Sequence, residues 1–170
     1  MNKKVAIIVA NGFEDLEFSY PYYRLIEAGF APVIIAKDTK EVTGKHGYNY
    51  KVDLDISKVF EKDYLGLVIP GGSISASNLR KILEMIELVK AFNNKKKPIA
   101  AICHGVWLLG DAGVINGRNM TGWPAIKQDI IDAGGKYYDE PVVVDKNLVT
   151  SRKPSDLPFF MQEFILILSG

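Results

Sequence analysis

The sequence predicts a doubly wound α/β sandwich, with a mostly parallel sheet and helices on both faces, in a single domain over residues 1–170. Apolar runs of strand length recur along the chain, stretches with helical apolar spacing separate them, and three of the runs stop at short glycine-containing segments. No internal repeat, low-complexity tract or linker interrupts the pattern.

The runs "KVAIIVA" (residues 4–10), "PVIIA" (32–36), "YLGLVIP" (64–70) and "PIAAIC" (98–103) are nearly continuous in apolar residues. Parallel strands covered on both faces require that pattern. A helix is expected over residues 15–28, ending at Gly29, with Pro21 inside it. Residues 41–52, around Gly47, read as a small antiparallel piece. Leu79, Ile82, Leu83, Ile86 and Val89 form one apolar stripe and predict a single helix near residues 77–92. The basic run "NNKKKP" (93–98) falls where that helix should end, with its lysines facing the negative helix terminus and water. "WPAIKQDIIDAGG" reads as a short helix with Pro124 in its first turn. "EPVVVDKNLVTSR" (140–152) reads as two short strands about a Lys146-Asn147 turn, and the stripe Leu157, Phe160, Met161, Phe164, Ile165 and Leu168 as a final helix.

Composition narrows the function. A net charge of +1 provides no long-range attraction to nucleic acid or anionic membrane, so neither partner is expected. No apolar run approaches the length of a membrane span, and the six apolar residues near the start are too few for a secretory signal. The one cysteine excludes an internal disulfide. A cytoplasmic location is the resulting expectation. One cysteine and two separated histidines lack metal-ligand spacing, and the phosphate-binding glycine patterns are absent, so no metal or other cofactor is expected.

Ligands of open α/β sheets bind beyond the carboxyl ends of the strands. Three segments therefore carry the chemistry: "NGFED", "GGSISAS" and "CHGVW". In "AAICHGVWLL" the helical pattern follows the strand with no room for a loop. The turn must fall at Cys103, with Ala101 and Gly105 small enough to let strand and helix approach, which is the steric logic of a nucleophile elbow. A helix start there should lower the thiol pKa. Gly71 and Gly72 could present N–H groups which, with that of His104, form an oxyanion hole. Glu14 would sit beside the elbow if the first strand neighbours that of Cys103. A carboxyl pressed on a thiolate tends to be protonated and could move a proton. Asp15 favours a helix start by its charge, and His46 in "TGKHGY" reads as a surface residue.

Taken in order, "NGFEDLEFSYPYYRL", "TGKHGY", "LVIPGG", "AICHG", "TGWPAIKQDIIDAGG" and "VVVDKNLVTSRKPSDLP" resemble the ThiJ/PfpI superfamily, and within it the PfpI-type intracellular protease branch. The resemblance implies a flavodoxin-like three-layer sandwich with Cys103 on the elbow. It also implies a glutamate touching the sulfur at Glu14, a histidine beside it at His104, and an oxyanion hole near Gly71 and Gly72. Trp123 and Arg152 are expected to line the pocket on the same basis. Members form homodimers, and the protease branch assembles dimers into hexameric rings. Ascribed activities include peptidase, glyoxalase III, deglycation, chaperone action and thiol-based oxidant sensing. Peptidase members carry an acid on the loop after Pro-Gly-Gly, and by spacing that position is Ala76; no Asp or Glu occurs from Ser73 to Ile82. Asn78 is a possible amide substitute, and Val106 stands where the family often has proline.

The first expectation is thus a cysteine-dependent, PfpI-type protease-like hydrolase using Cys103, His104 and Glu14 on a peptide. The alternatives are a glyoxalase III or deglycase acting on a small reactive aldehyde, or a non-enzymatic redox sensor or chaperone. Aldehydes need less activation than amides, so lack of the triad acid affects peptide cleavage more.

Overall fold

A computed structural model of the chain describes residues 3–170; Met1 and Asn2, at the edge of the leader and single-domain readings, lie outside it. In chain order the elements are β1 (Lys4–Ile8), α1 (Asp15–Glu27), β2 (Ala31–Ala36), β3 (Glu41–Thr43), β4 (Asn49–Lys51), β5 (Leu54–Asp55), β6 (Gly66–Ile69), α2 (Ser73–Leu79) and α3 (Leu83–Asn94). There follow β7 (Ile99–Ile102), α4 (Trp107–Asp111), β8 (Asn119–Met120), α5 (Lys127–Asp132), β9 (Lys136–Tyr137), β10 (Val142–Asp145), β11 (Leu148–Ser151) and α6 (Leu157–Ser169).

Seven strands form one sheet in the order β10-β11-β7-β6-β1-β2-β5, parallel throughout except for the β10–β11 hairpin. Alternation along β1 sends Val5 and Ile7 into one core and Ala6 and Ile8 into the other. Phe18 and Leu25 of α1 and Phe160, Met161 and Phe164 of α6 fill the first core. Leu79, Val89, Leu108 and Ile130, from α2 to α5, fill the second. This is the flavodoxin-like three-layer sandwich. The chain runs from β1 out to β2 and β5, then returns to β6 on the other side of β1. That reversal creates the crevice where such sheets bind ligands. Among the described residues no helix is long and apolar enough to cross a membrane.

Two expectations change. The stripe from Leu79 to Val89 is not one helix, because α2 stops at Leu79 and Ile82 is extended (φ −101°, ψ 104°) before α3 begins. Arg80, which caps α2, makes a two-pronged pair with Asp111 of α4 at 2.6 and 2.9 Å, so the end of α2 is tied to α4 instead of continuing. Leu83 consequently sits in water, 68% exposed. In the "NNKKKP" run, Lys97 does not face solvent at a helix end. Its ammonium donates to the Glu61 and Tyr64 carbonyls at 2.9 and 2.8 Å and pairs with the Glu61 carboxylate.

Candidate active site

β7 leads directly into Cys103, which opens a short 3-10 turn (Cys103–Val106) merging with α4. Cys103 has φ +59°, a conformation L residues other than glycine rarely hold. Close packing beneath the turn enforces it: a Cβ at Gly105 would lie 2.6 Å from the carbonyl oxygens of both Ile69 and Pro70. The side chain therefore leaves the strand end and opens into a cleft of about 320 Å³ between Gly12, Lys45, Ile74, Trp123 and Pro154.

Cys103 Sγ lies 3.2 Å from His104 Nδ1. This contact between sequence neighbours exists only because the elbow is irregular. The backbone N–H groups of Gly72 and His104 are directed at the sulfur and favour its anion. Gly72 has φ +92°, and a Cβ there would fall 2.5 Å from the Gly12 carbonyl oxygen, so that amide can be presented only by glycine. The Gly71 N–H, also expected to face an oxyanion, is directed instead at the Glu17 carboxyl. Gly71 O accepts from Glu14 N at 3.1 Å, joining the loop to the start of α1.

The carboxyl against the sulfur belongs to Glu17. A Cβ on Gly71 would come within 2.2 Å of Glu17 Oε2 and 2.6 Å of Cys103 Cβ, which places all three groups together. Glu17 is fully buried and neither carboxyl oxygen has a well-formed hydrogen bond; the thiol and the Gly71 N–H are its weaker partners. Burial first, and then the charge of Glu14, raise its pKa to about 8, so it is protonated at neutral pH. Glu14, expected at the sulfur, lines the same cleft but pairs with Lys45 and lies 3.8 Å from His46 Nε2. The reason is local: Glu14 is the extended residue before α1 (φ −72°, ψ 116°) and its carboxylate turns to Lys45, whereas Glu17 lies in the first helical turn and is buried. One helical turn later, Glu17 points back under the sheet end. The spacing "EDLE" held the signal, since residues three apart share a helix side.

Electrostatics at the sulfur also differ from expectation. Burial, and next the Glu17 charge, push the Cys103 thiol up to about 12, outweighing the two N–H donors. The sulfur rests as a thiol and must lose its proton as it reacts. His104 is the available acceptor: burial and then the Lys45 charge lower its pKa, with Asp129 opposing, so the imidazole is neutral at pH 7. Among the described residues its ring has no hydrogen-bond partner besides Cys103. The Ala76 position is fully buried on α2.

Sequence reasoning missed Lys45. Asp15 supports the turn that carries it, accepting the His46 and Tyr48 amides at 2.9 and 3.2 Å. Glu14, Asp15 and His46 offer potential metal-ligand atoms within 4.8 Å of one another, but both carboxylates are already engaged by Lys45 and by those amides. Trp123 lines the cleft and stacks 6.1 Å from the His104 ring. Arg152 does not line it. Asp156 and Asp139 hold its guanidinium at 2.8 Å each and raise its pKa, so it fastens the start of α6 to the β9–β10 connection.

The chain is similar over nearly its whole length to known proteins. Deglycase PH1704 of Pyrococcus horikoshii is 43% identical over 97% of this chain and 99% of its own length. YraA of Bacillus subtilis, a provisionally assigned cysteine protease, is 44% identical over 99% of each. A two-domain protein of Anabaena variabilis, with DJ-1/ThiJ/PfpI-like and ferritin-like domains, superposes with a TM-score of 0.95 at 34% identity, covering 98% of this chain and 48% of that one. The DJ-1/PfpI family matches residues 3–166, and the chain belongs to that family.

Proposed function

We propose that the protein is a cysteine-dependent enzyme acting on the carbonyl carbon of small reactive aldehydes, as a glyoxalase- or deglycase-type catalyst. The observation that carries this reading is the Cys103 thiol, 3.2 Å from a neutral imidazole to which no carboxylate is hydrogen-bonded among the described residues, facing two backbone N–H groups. Sequence reasoning ranks peptide cleavage first; the resting thiol and the imidazole without an acid reverse that order. With methylglyoxal, Sγ adds to the aldehyde carbon as the S–H proton passes to His104 Nδ1. The oxygen anion receives the Gly72 and His104 N–H groups and then that proton, giving a hemithioacetal. His104 next removes the C1 proton, which returns at C2 to leave a lactoyl thioester. Water hydrolyses the thioester to lactate and restores the thiol. Each well-placed N–H donor lowers such a barrier by about 3–4 kcal/mol. Protonated Glu17 donates to the sulfur whenever it carries charge.

Peptide hydrolysis is the second reading, favoured by the same pair of amide donors and by the resemblance to YraA. It would need an acid at His104 supplied by another copy in a dimer or hexamer. A free thiol suits action in a reducing cytoplasm. Incubation with methylglyoxal and, separately, with labelled casein tests both readings. The expected result is lactate formation that falls below about 1% in Cys103→Ala, with casein cleaved slowly or not at all. Lactate formation undiminished in Cys103→Ala would overturn the proposal, and rapid casein cleavage without lactate would establish the second reading in its place.

A further inference from the structure

The His104 imidazole is held between two indoles. Trp107 meets it edge-on, with centroids 4.8 Å apart at 67°, and Trp123 stacks at 6.1 Å and 27°. Trp107 is itself fastened: its Nε1 donates to Asp129 Oδ2 at 2.7 Å, and the Arg80 guanidinium lies 5.0 Å over its ring. Arg80 is fixed in turn by the two-pronged pair with Asp111. Asp129, Arg80 and Asp111 thus fix Trp107 in turn, and none of these four residues lines the cleft.

We infer that Trp107, anchored by Asp129 and Arg80, is a positioning residue for His104, doing within one chain what a triad carboxylate does elsewhere. The inference rests on the proposed role of His104 as proton acceptor. A triad acid fixes the orientation of its imidazole and stabilises the imidazolium. The indoles do the first by confining ring rotation, keeping Nδ1 toward the sulfur, and edge-to-face packing makes that preference real. The second falls to the face of Trp123, which stacks on the imidazole, and to the Asp129 carboxylate that Trp107 Nε1 holds nearby and whose charge favours the imidazolium. The charged and titratable groups around His104 are Cys103 on its own turn, Lys45 on the β3–β4 turn and Asp129 on α5. Glu14 and Glu17 share the cleft, and Arg80 lies behind Trp107.

The test uses the full chain with Trp107→Leu, which removes the ring, and Trp107→Phe, which keeps a ring but not the N–H. Two readouts do not depend on any substrate: the rate of Cys103 alkylation by iodoacetamide at pH 7, unambiguous with one cysteine, and the NMR titration of the His104 ring. Trp107→Leu is expected to slow alkylation about three- to tenfold and lower the His104 titration midpoint, with Trp107→Phe recovering most of the alkylation rate but not the midpoint, because it lacks the N–H that holds Asp129. For methylglyoxal, kcat should fall with KM within about twofold, because Trp107 does not touch the cleft. Unchanged alkylation and titration in folded Trp107→Leu, or alkylation slowed equally in Trp107→Phe, would overturn the inference. Should the wild type fail to turn over methylglyoxal, the proposed function falls while the alkylation and titration readouts still decide the role of Trp107.

Discussion

Glu17→Gln removes the one fully buried carboxyl beside the reactive sulfur and replaces it with a group of nearly the same shape that cannot ionise. The folded state holds the Glu17 pKa at about 8 against an ordinary 4.5, with burial the chief cause. A raised carboxyl pKa means that the folded chain prefers the protonated form. Its favourable contribution is therefore complete below about pH 4.5 and is lost as pH rises toward 8. At ~1.4 kcal/mol per pKa unit, the wild type loses roughly 3 kcal/mol between pH 4.5 and 7, and roughly 4 kcal/mol between pH 4.5 and 8.5. The glutamine variant escapes that loss. His104 titrates in both proteins and cancels in the difference, while Cys103 titrates above this window. Urea denaturation of both proteins at pH 4.5, 7 and 8.5 measures the effect. The variant's stability relative to wild type should rise by roughly 3 and then roughly 4 kcal/mol above its pH 4.5 value across the series, whatever packing difference exists at the acid end. A difference independent of pH would show that Glu17 is ionised in the folded protein, and the assignment of a neutral carboxyl at the sulfur would be refuted.

The rate of Cys103 alkylation by iodoacetamide should climb about tenfold per pH unit from 7 to 11, because the thiol is pushed up to about 12; a plateau below pH 9 would show an ionised resting sulfur. Gly72→Ala forces a methyl group to 2.5 Å from the Gly12 oxygen and should cut methylglyoxal turnover by about 100-fold or more while far-UV circular dichroism stays native. Asp15→Ala strands the His46 and Tyr48 amides and should cost about 1–3 kcal/mol in urea denaturation. Phe164→Ala opens a void in the α6 core and should cost about 3–5 kcal/mol by the same measurement.

The sheet was legible because parallel strands covered on both faces leave near-continuous apolar runs: β1, β6 and β7 each fall within one, and β2 begins one residue before its own. The elbow was legible because strand and helix patterns meet at Cys103 with no residues to spare. What the sequence hid was tertiary. Nothing in the stripe from Leu79 to Val89 announces that Arg80 will reach Asp111 and end α2 early. The choice between Glu14 and Glu17 turned on where α1 begins and on Lys45, which arrives from the distant β3–β4 turn and takes the Glu14 carboxylate. The division of labour between Gly71 and Gly72, one amide toward a carboxyl and one toward a sulfur, depends on loop geometry that two adjacent glycines do not specify. Arg152 and Lys97 show the same limit: Arg152 is taken by Asp139 and by Asp156 four residues on, and Lys97 by Glu61, far away in sequence, and composition does not say which of the nearby or distant acids will win. The thiol pKa was misjudged in sign because a helix start is visible in sequence, whereas the depth of burial that outweighs it is not.

The most direct measurement is ¹³C NMR of the protein mixed with methylglyoxal labelled at its aldehyde carbon. A carbon bonded to Cys103 sulfur should give a hemithioacetal or thioester resonance that decays as labelled lactate accumulates, and both signals should be missing in Cys103→Ala. Lactate growing at the wild-type rate in Cys103→Ala, or no sulfur-bound carbon at any stage in the wild type, would contradict nucleophilic attack by this thiol.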